Sequence, residues 1–156
     1  MATPSGEHAP EPTPERALFR KRHRIAHDRD YAAVFAAKLR KARGPIVVFA
    51  RVTDHAEPRL GLSIGRRVGA AHDRVRVKRM IREAFRLERA TLPTPPGGGA
   101  FDLVVSARAH DRRPLAAYRR DLVAAVEAIA RELAKRADRA DRSGGGGGGG
   151  GPDRDV

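Results

Sequence analysis

The predicted elements run helix, strand, strand, helix, strand, helix, which places the chain in the α+β class, with a split β-α-β arrangement as the variant of that order. Three observations carry this reading. Short segments alternate apolar and small or polar residues with period two, longer segments step their apolar residues by three and four, and Gly or Pro marks the joins. Residues 28–39 read as the first helix: Asp28 offers an N-cap, and Tyr31, Val34 and Phe35 fall at i, i+3 and i+4. Gly44-Pro45 stops any helix, and Ile46 to Val52 is a β-branched and aromatic run, hence a strand. From Arg59 to Gly65, Leu60, Leu62 and Ile64 share one face, and Gly61, Ser63 and Gly65 the other, so a half-buried strand is expected. Its glycine side would let another backbone approach closely. Residues 71–90 return to helical period, Pro93 to Gly99 form a loop, and Phe101 to Ala107 form a short apolar strand. Pro114 suits a helix's first position, and Leu115, Tyr118, Leu122, Val126, Ile129 and Leu133 then make the clearest amphipathic helix.

Both ends differ from this domain. Residues 1–15 hold four prolines and carry −3, a composition expected to be disordered. From 143 onward, Ser143 leads into eight successive glycines and a short acidic end, expected to be a flexible coil. The domain is therefore placed at 16–142. Of the chain's 156 residues and net charge of +13, the tails are acidic, and 16–143 carries +17. Such an excess points to a polyanion, most often nucleic acid. The chain has no cysteine, which excludes disulfide frameworks, thiolate zinc sites and cysteine nucleophiles. No run approaches 18 apolar residues and no signal-peptide pattern is visible, so no membrane partner is expected and the expected location is cytoplasmic.

The charge concentrates on one helix. At 100° per residue, Val77, Met80, Ile81, Ala84, Phe85 and Leu87 occupy one arc of 71–90. Arg74, Lys78, Arg79, Arg82, Arg86 and Arg89 occupy most of the other, and Arg76 lies at its border. With Arg66 and Arg67 just upstream, residues 66–89 carry +6. The row Arg74-Lys78-Arg82-Arg86 repels itself at i, i+4, a penalty that a row of phosphates would remove. The bland reading of this face is a solvated surface in an arginine-rich chain.

The ordered run from Arg59 to Arg86 resembles the signature of the bacterial ribonuclease P protein component. The matching pieces are Leu60-Gly-Leu-Ser63, Arg66-Arg67, Val68-Gly69, Arg74-Val-Arg-Val-Lys-Arg-Met-Ile-Arg82 and Phe85. Arg22-His-Arg-Ile25, Tyr31-x-x-Val34-Phe35, Val47-Val-Phe49 and Phe101 to Arg108 also sit where that family has counterparts, so the resemblance covers roughly residues 19–135. Two positions depart from it: Val75 and Ala70 stand where the family often has asparagine.

The resemblance implies a sandwich like the ribosomal protein S5 domain 2-like fold, with room for an extra strand and a left-handed β-α-β crossover. It implies the small subunit of a ribonucleoprotein endoribonuclease that removes the 5′ leader from precursor tRNA. In that family the RNA subunit carries the chemistry and most of the Mg²⁺, with no catalytic or metal-binding residue on the protein and no further protein partner required. By the same resemblance Arg66, Arg67, Arg74, Arg76, Lys78, Arg79 and Arg82 bind the catalytic RNA, while Tyr31, Phe35 and Phe49 line the cleft for the precursor tRNA leader. Aromatic faces stack on unpaired bases with little sequence preference, at roughly 1–3 kcal/mol per base. Each of these rings also has an ordinary core reading, and Phe85 and Phe101 read as core.

A free-standing nuclease is not supported. Asp28 with Asp30, and Asp138 with Asp141, lack an obvious third ligand, and the six histidines show no metal-ligand spacing. The remaining alternatives are a ribosomal or ribosome-assembly RNA-binding protein and a DNA-binding protein. Against the latter, the basic helix follows a strand and not another helix.

Overall fold

A computed structural model describes residues 19–145. The acidic extension assigned to 1–15 and the tail beyond Gly145 lie outside the described residues. The chain forms α1 (Asp28–Ala36), β1 (Arg40–Arg43), β2 (Ile46–Thr53), β3 (Arg59–Ser63), α2 (Ala71–Glu88), β4 (Ala100–Ala107) and α3 (Leu115–Gly145). Single 3-10 turns occupy Lys21–His23, Arg66–Val68 and Arg89–Thr91. The class is α+β, as expected.

The first helix is shorter than its periodicity predicts. It ends at Ala36, because Lys38 takes a left-handed φ of 53° and turns the chain into β1. Its cap is His27, and Asp28 is its first helical residue, where a carboxylate favours the positive end of the helix dipole. β1 is the extra strand that the resemblance allowed. Three cations in four residues hide it from apolar alternation; backbone pairing to β2 makes it a strand. Gly44-Pro45 is the two-residue loop of this hairpin, and Gly44 supplies the φ of 52° that such a turn needs first.

The sheet order is β1-β2-β4-β3. β4 lies between β2 and β3, antiparallel to the first and parallel to the second. β3 and β4 are direct neighbours joined through α2, so the β-α-β unit is not split. At the other end, α3 continues through Gly145, three residues into the segment assigned to the tail; the Ser143 hydroxyl donates to the Arg139 carbonyl at 2.9 Å in this last stretch.

Period two along each strand sends alternate residues to two unlike faces. On one, Ile46, Val48, Leu103 and Val105 meet Val77, Ile81 and Phe85 of α2 and Tyr118, Leu122, Val126 and Ile129 of α3, none more than 1% exposed. Each such side chain contributes about 1.5–3 kcal/mol through burial. Phe85 and Phe101 belong to this core, as expected. Among the described residues, the other face carries α1, seated through Val34 on Ile25 and Val104. One helix cannot cover four strands, so among the described residues part of this face stays uncovered.

Candidate nucleic-acid interface

α2 buries Val77, Ile81, Ala84 and Phe85 and turns its opposite face outward. Gly69 and Asp73 set its start. The Asp73 carboxylate accepts from the Ala70 N–H at 3.2 Å. Gly69 has a φ of 144°, a conformation that favours glycine, and its missing Cβ leaves room for that carboxylate, whose oxygen would lie 2.8 Å from one. Upstream, buried Ile64 and Val68 pin the turn that leaves Arg66 and Arg67 exposed. Arg79 and Arg82 are exposed, and Arg74, Arg76 and Lys78 half-buried. Among the described residues, Arg66, Arg67, Arg74, Lys78, Arg79 and Arg82 make no ion pair with a carboxylate, while Arg76 lies 3.5 Å from Asp73. Arg86 is paired with Glu83, and Arg89 is turned inward, buried against Glu57. Arg89 therefore leaves the basic arc in which helical spacing places it, because the helix tightens into a 3-10 turn at that residue. Val75 projects into the basic face at 58% exposure.

The open part of the sheet's second face forms a cleft of about 430 Å³ lined by Arg40, Val47, Phe49, Arg67, Ser106 and Arg108. Phe35 from α1 stands edge-on to Phe49, with centroids 4.9 Å apart, and is itself 40% exposed. The Arg40 guanidinium lies over the Phe49 ring at 5.6 Å. Three cations from three parts of the chain thus surround a paired aromatic platform. The wall bearing Arg108 is tied down at its backbone. Its N–H donates to the Pro45 carbonyl at 2.8 Å. Its carbonyl accepts from His110 Nδ1 at 2.7 Å, which leaves Nε2 to accept from the buried Tyr118 hydroxyl at 2.6 Å.

The predicted site residues therefore fall into three places. Phe35 and Phe49 come together. Arg67, grouped by sequence with the α2 cations, lines the same cleft. Tyr31, one turn before Phe35 on α1, packs with Phe49 against the Ile25–Val34–Val104 cluster; its ring also covers Gly61, and its hydroxyl accepts from the Leu62 N–H at 3.2 Å, capping the edge of β3. It lines a smaller hollow of about 160 Å³ with Phe19, Arg24, Lys78 and Arg82. The close approach expected at Gly61 is thus made by an aromatic ring and not by another backbone. Sequence reasoning missed Arg40 and Arg108. The Gly-first hairpin turn was a signal for Arg40; nothing local marks Arg108.

Beneath the start of α1, fully buried Asp102 accepts from Arg59 Nε at 2.8 Å and Nη2 at 2.6 Å, and from Arg51 Nη2 at 2.9 Å. Burial pushes its carboxyl up, but the two guanidiniums outweigh burial and hold it below the usual carboxylate range. Asp30 adds longer contacts to Arg51 at 3.6 Å and Arg59 at 3.9 Å. These two aspartates already face two guanidiniums and do not suit a metal ion. Among the described residues no group of three His, Asp or Glu could hold one.

Fold and surface together define a class: a basic α+β nucleic-acid-binding module with a charged helix between parallel strands and an aromatic cleft on the opposite sheet face. Comparison with known proteins identifies the family. The sequence profile of the Ribonuclease P family matches residues 19–137, and the chain belongs to that family. The ribonuclease P protein component of Methylococcus capsulatus is 40% identical over 91 residues, 58% of this chain and 66% of that one. That of Haemophilus influenzae is 33% identical over 91 residues, 58% and 71% of the two chains. The chain thus spans about two thirds of the curated relatives it matches. The RNase P protein of Thermotoga maritima superposes with a TM-score of 0.53 at 28% identity, over 69% of this chain and 96% of that one. The Staphylococcus aureus RNase P protein, at 23% identity and a TM-score of 0.52, shares the fold over 67% and 93%.

Proposed function

We propose that this chain is the protein subunit of a ribonuclease P ribonucleoprotein and promotes endonucleolytic removal of the 5′ leader from precursor tRNA. The observation that carries this reading is the pairing, in a chain of this family, of two separate basic surfaces. One is formed by Arg74, Lys78, Arg79 and Arg82 on α2, which make no carboxylate pair among the described residues; the other is the arginine-rimmed Phe35–Phe49 cleft. The first suits the phosphates of a structured RNA, where arginine's planar fork matches phosphate oxygens. The second suits an unpaired strand, whose bases stack on the rings while Arg40, Arg67 and Arg108 take its phosphates.

On this reading the catalytic RNA is the permanent partner and precursor tRNA the substrate, and the protein acts in the cytoplasm. No helix of the described residues is long and apolar enough to cross a membrane. On the same reading cleavage and its Mg²⁺ belong to the RNA, and Asp30 and Asp102 beneath α1 serve to hold Arg51 and Arg59. The protein supplies grip and orientation: it lowers the repulsion between two RNAs and holds the leader beside the reacting phosphate. Reconstitution tests this directly. The chain is mixed with a bacterial catalytic ribonuclease P RNA and a precursor tRNA at low Mg²⁺, and release of the leader is followed. Faster processing than with RNA alone supports the proposal; an unchanged rate defeats it and leaves a ribosome-assembly role as the reading to pursue.

A further inference from the structure

Arg108 lies where the sheet stops holding the chain. The ladder between β2 and β4 ends at the Ile46–Ala107 pair, and residues 108–114 have no regular structure before α3 begins at Leu115. The Arg108 N–H still reaches the Pro45 carbonyl, but beyond it no strand partner sets the course of the segment. Yet Arg108 forms one wall of the cleft. A long side chain on unsupported backbone loses freedom when it binds, and that loss weakens binding.

Side chains supply the support, and α3 anchors them. The Arg108 carbonyl accepts from His110 Nδ1 at 2.7 Å, and the Tyr118 hydroxyl donates to His110 Nε2 at 2.6 Å. A neutral imidazole offers one donor and one acceptor, and both are used here. Tyr118 is buried in the core, so its hydroxyl is a fixed point, and its ring meets the imidazole edge-on with centroids 5.7 Å apart. The Arg113 guanidinium lies over the same ring at 5.6 Å, and Arg113 Nη1 is 2.7 Å from Asp121 Oδ2, one turn further along α3. The segment is thus pinned at His110 and again at Arg113. The hairpin that follows β1, and so Arg40, rests on this node too. A Cβ on Gly44 would run into the Asp121 carboxylate and the Arg113 guanidinium. Burying a tyrosine in place of a phenylalanine costs the desolvation of its hydroxyl, which the bond to His110 offsets.

We propose that His110 is a positioning residue for single-stranded RNA: it links the fixed Tyr118 hydroxyl to the Arg108 carbonyl and so holds Arg108 at the cleft before a strand arrives. This deepens the proposed function and rests on its reading of the cleft as the seat of an unpaired strand. The effect of His110 passes through Arg108 and requires no contact between the imidazole and the RNA.

Fluorescence anisotropy of a labelled octauridylate on the full chain tests this, with Phe49→Ala marking the part of the binding that belongs to the cleft. His110→Ala should weaken that part about threefold to tenfold, the range for ordering one long side chain on binding. In an Arg108→Ala background the same substitution should add nothing. His110→Gln, whose amide again offers one donor and one acceptor, should keep most of the affinity. Tyr118→Phe should lose as much as His110→Ala, and it carries the test if His110→Ala does not fold. Three results overturn the positioning role and leave the cleft standing. They are unchanged affinity in both His110→Ala and Tyr118→Phe, a weakening that persists in full in the Arg108→Ala background, and a loss in His110→Gln equal to that in His110→Ala. Binding that Phe49→Ala does not diminish overturns the reading of the cleft itself, and the positioning role with it.

Discussion

Asp102 holds two guanidiniums at the centre of the sheet, on the strand face opposite the core residues Phe101 and Leu103. Removing it leaves Arg51 and Arg59 beneath α1 without their principal anion. Breaking one side of a buried pair costs about 3–5 kcal/mol, so Asp102→Ala should lower unfolding free energy by that amount in urea titrations. The network also sets an acid limit. Because the Asp102 carboxyl is held low in the folded chain, its stabilisation is complete above the ordinary carboxylate pKa and is lost as pH falls through the lowered native value. His23 acts earlier. Burial holds its pKa below the ordinary value against the pull of Glu57, so the folded chain resists its protonation and loses stability as pH drops below about 6.5. Urea midpoints measured from pH 7 to pH 3 should fall in two stages, and Asp102→Ala should flatten the lower one. Neither residue's role was legible from its neighbours in sequence. Arg51 and Arg59 reach Asp102 only because β4 inserts between β2 and β3.

Among the elements, α2 was the most legible. Its apolar arc and basic arc follow from a fixed 100° step, and the structure keeps both apart except at Arg89. Arg74→Ala with Arg76→Ala should weaken binding to the catalytic RNA and flatten its salt dependence. The log–log slope should change by about 0.9 for each phosphate no longer neutralised on a duplex and about 0.7 on a single strand, read from affinities at several salt concentrations. An unchanged slope would make these arginines a solvated face. The cleft draws on several elements at once, and there the sequence said less. Phe35→Ala or Phe49→Ala should reduce affinity for precursor tRNA by roughly 1–3 kcal/mol while sparing mature tRNA, which has no leader to stack. Tyr31→Ala should behave differently, because Tyr31 caps the β3 edge and lines the hollow beside Lys78 and Arg82. β1 stayed hidden for a physical reason: an edge strand that buries little has no apolar pattern to display, and its pairing partner lies across a turn.

For the molecule as a whole, net charge and architecture divide the work. Among the described residues the buried core runs from Ile25 to Ile129, and deleting 146–156 is expected to change unfolding free energy by less than about 0.5 kcal/mol, within the range of surface changes. Comparing the melts of the full and shortened chains checks this. The α+β class, both long amphipathic helices, the buried strands and the run of cations from Arg66 to Arg82 were determined by sequence alone. Each depends on local periodicity, and a residue's face on a helix or strand follows from backbone geometry without reference to the rest of the fold. Tertiary structure decided what lies between elements. It set the strand order, joined Arg40, Phe49, Arg67 and Arg108 in one cleft, laid the Tyr31 ring over Gly61, and turned Arg89 inward to Glu57. These outcomes depend on which strands pair and in what register, and pairing brings residues 59 positions apart, as Phe49 and Arg108 are, to the lining of one cleft.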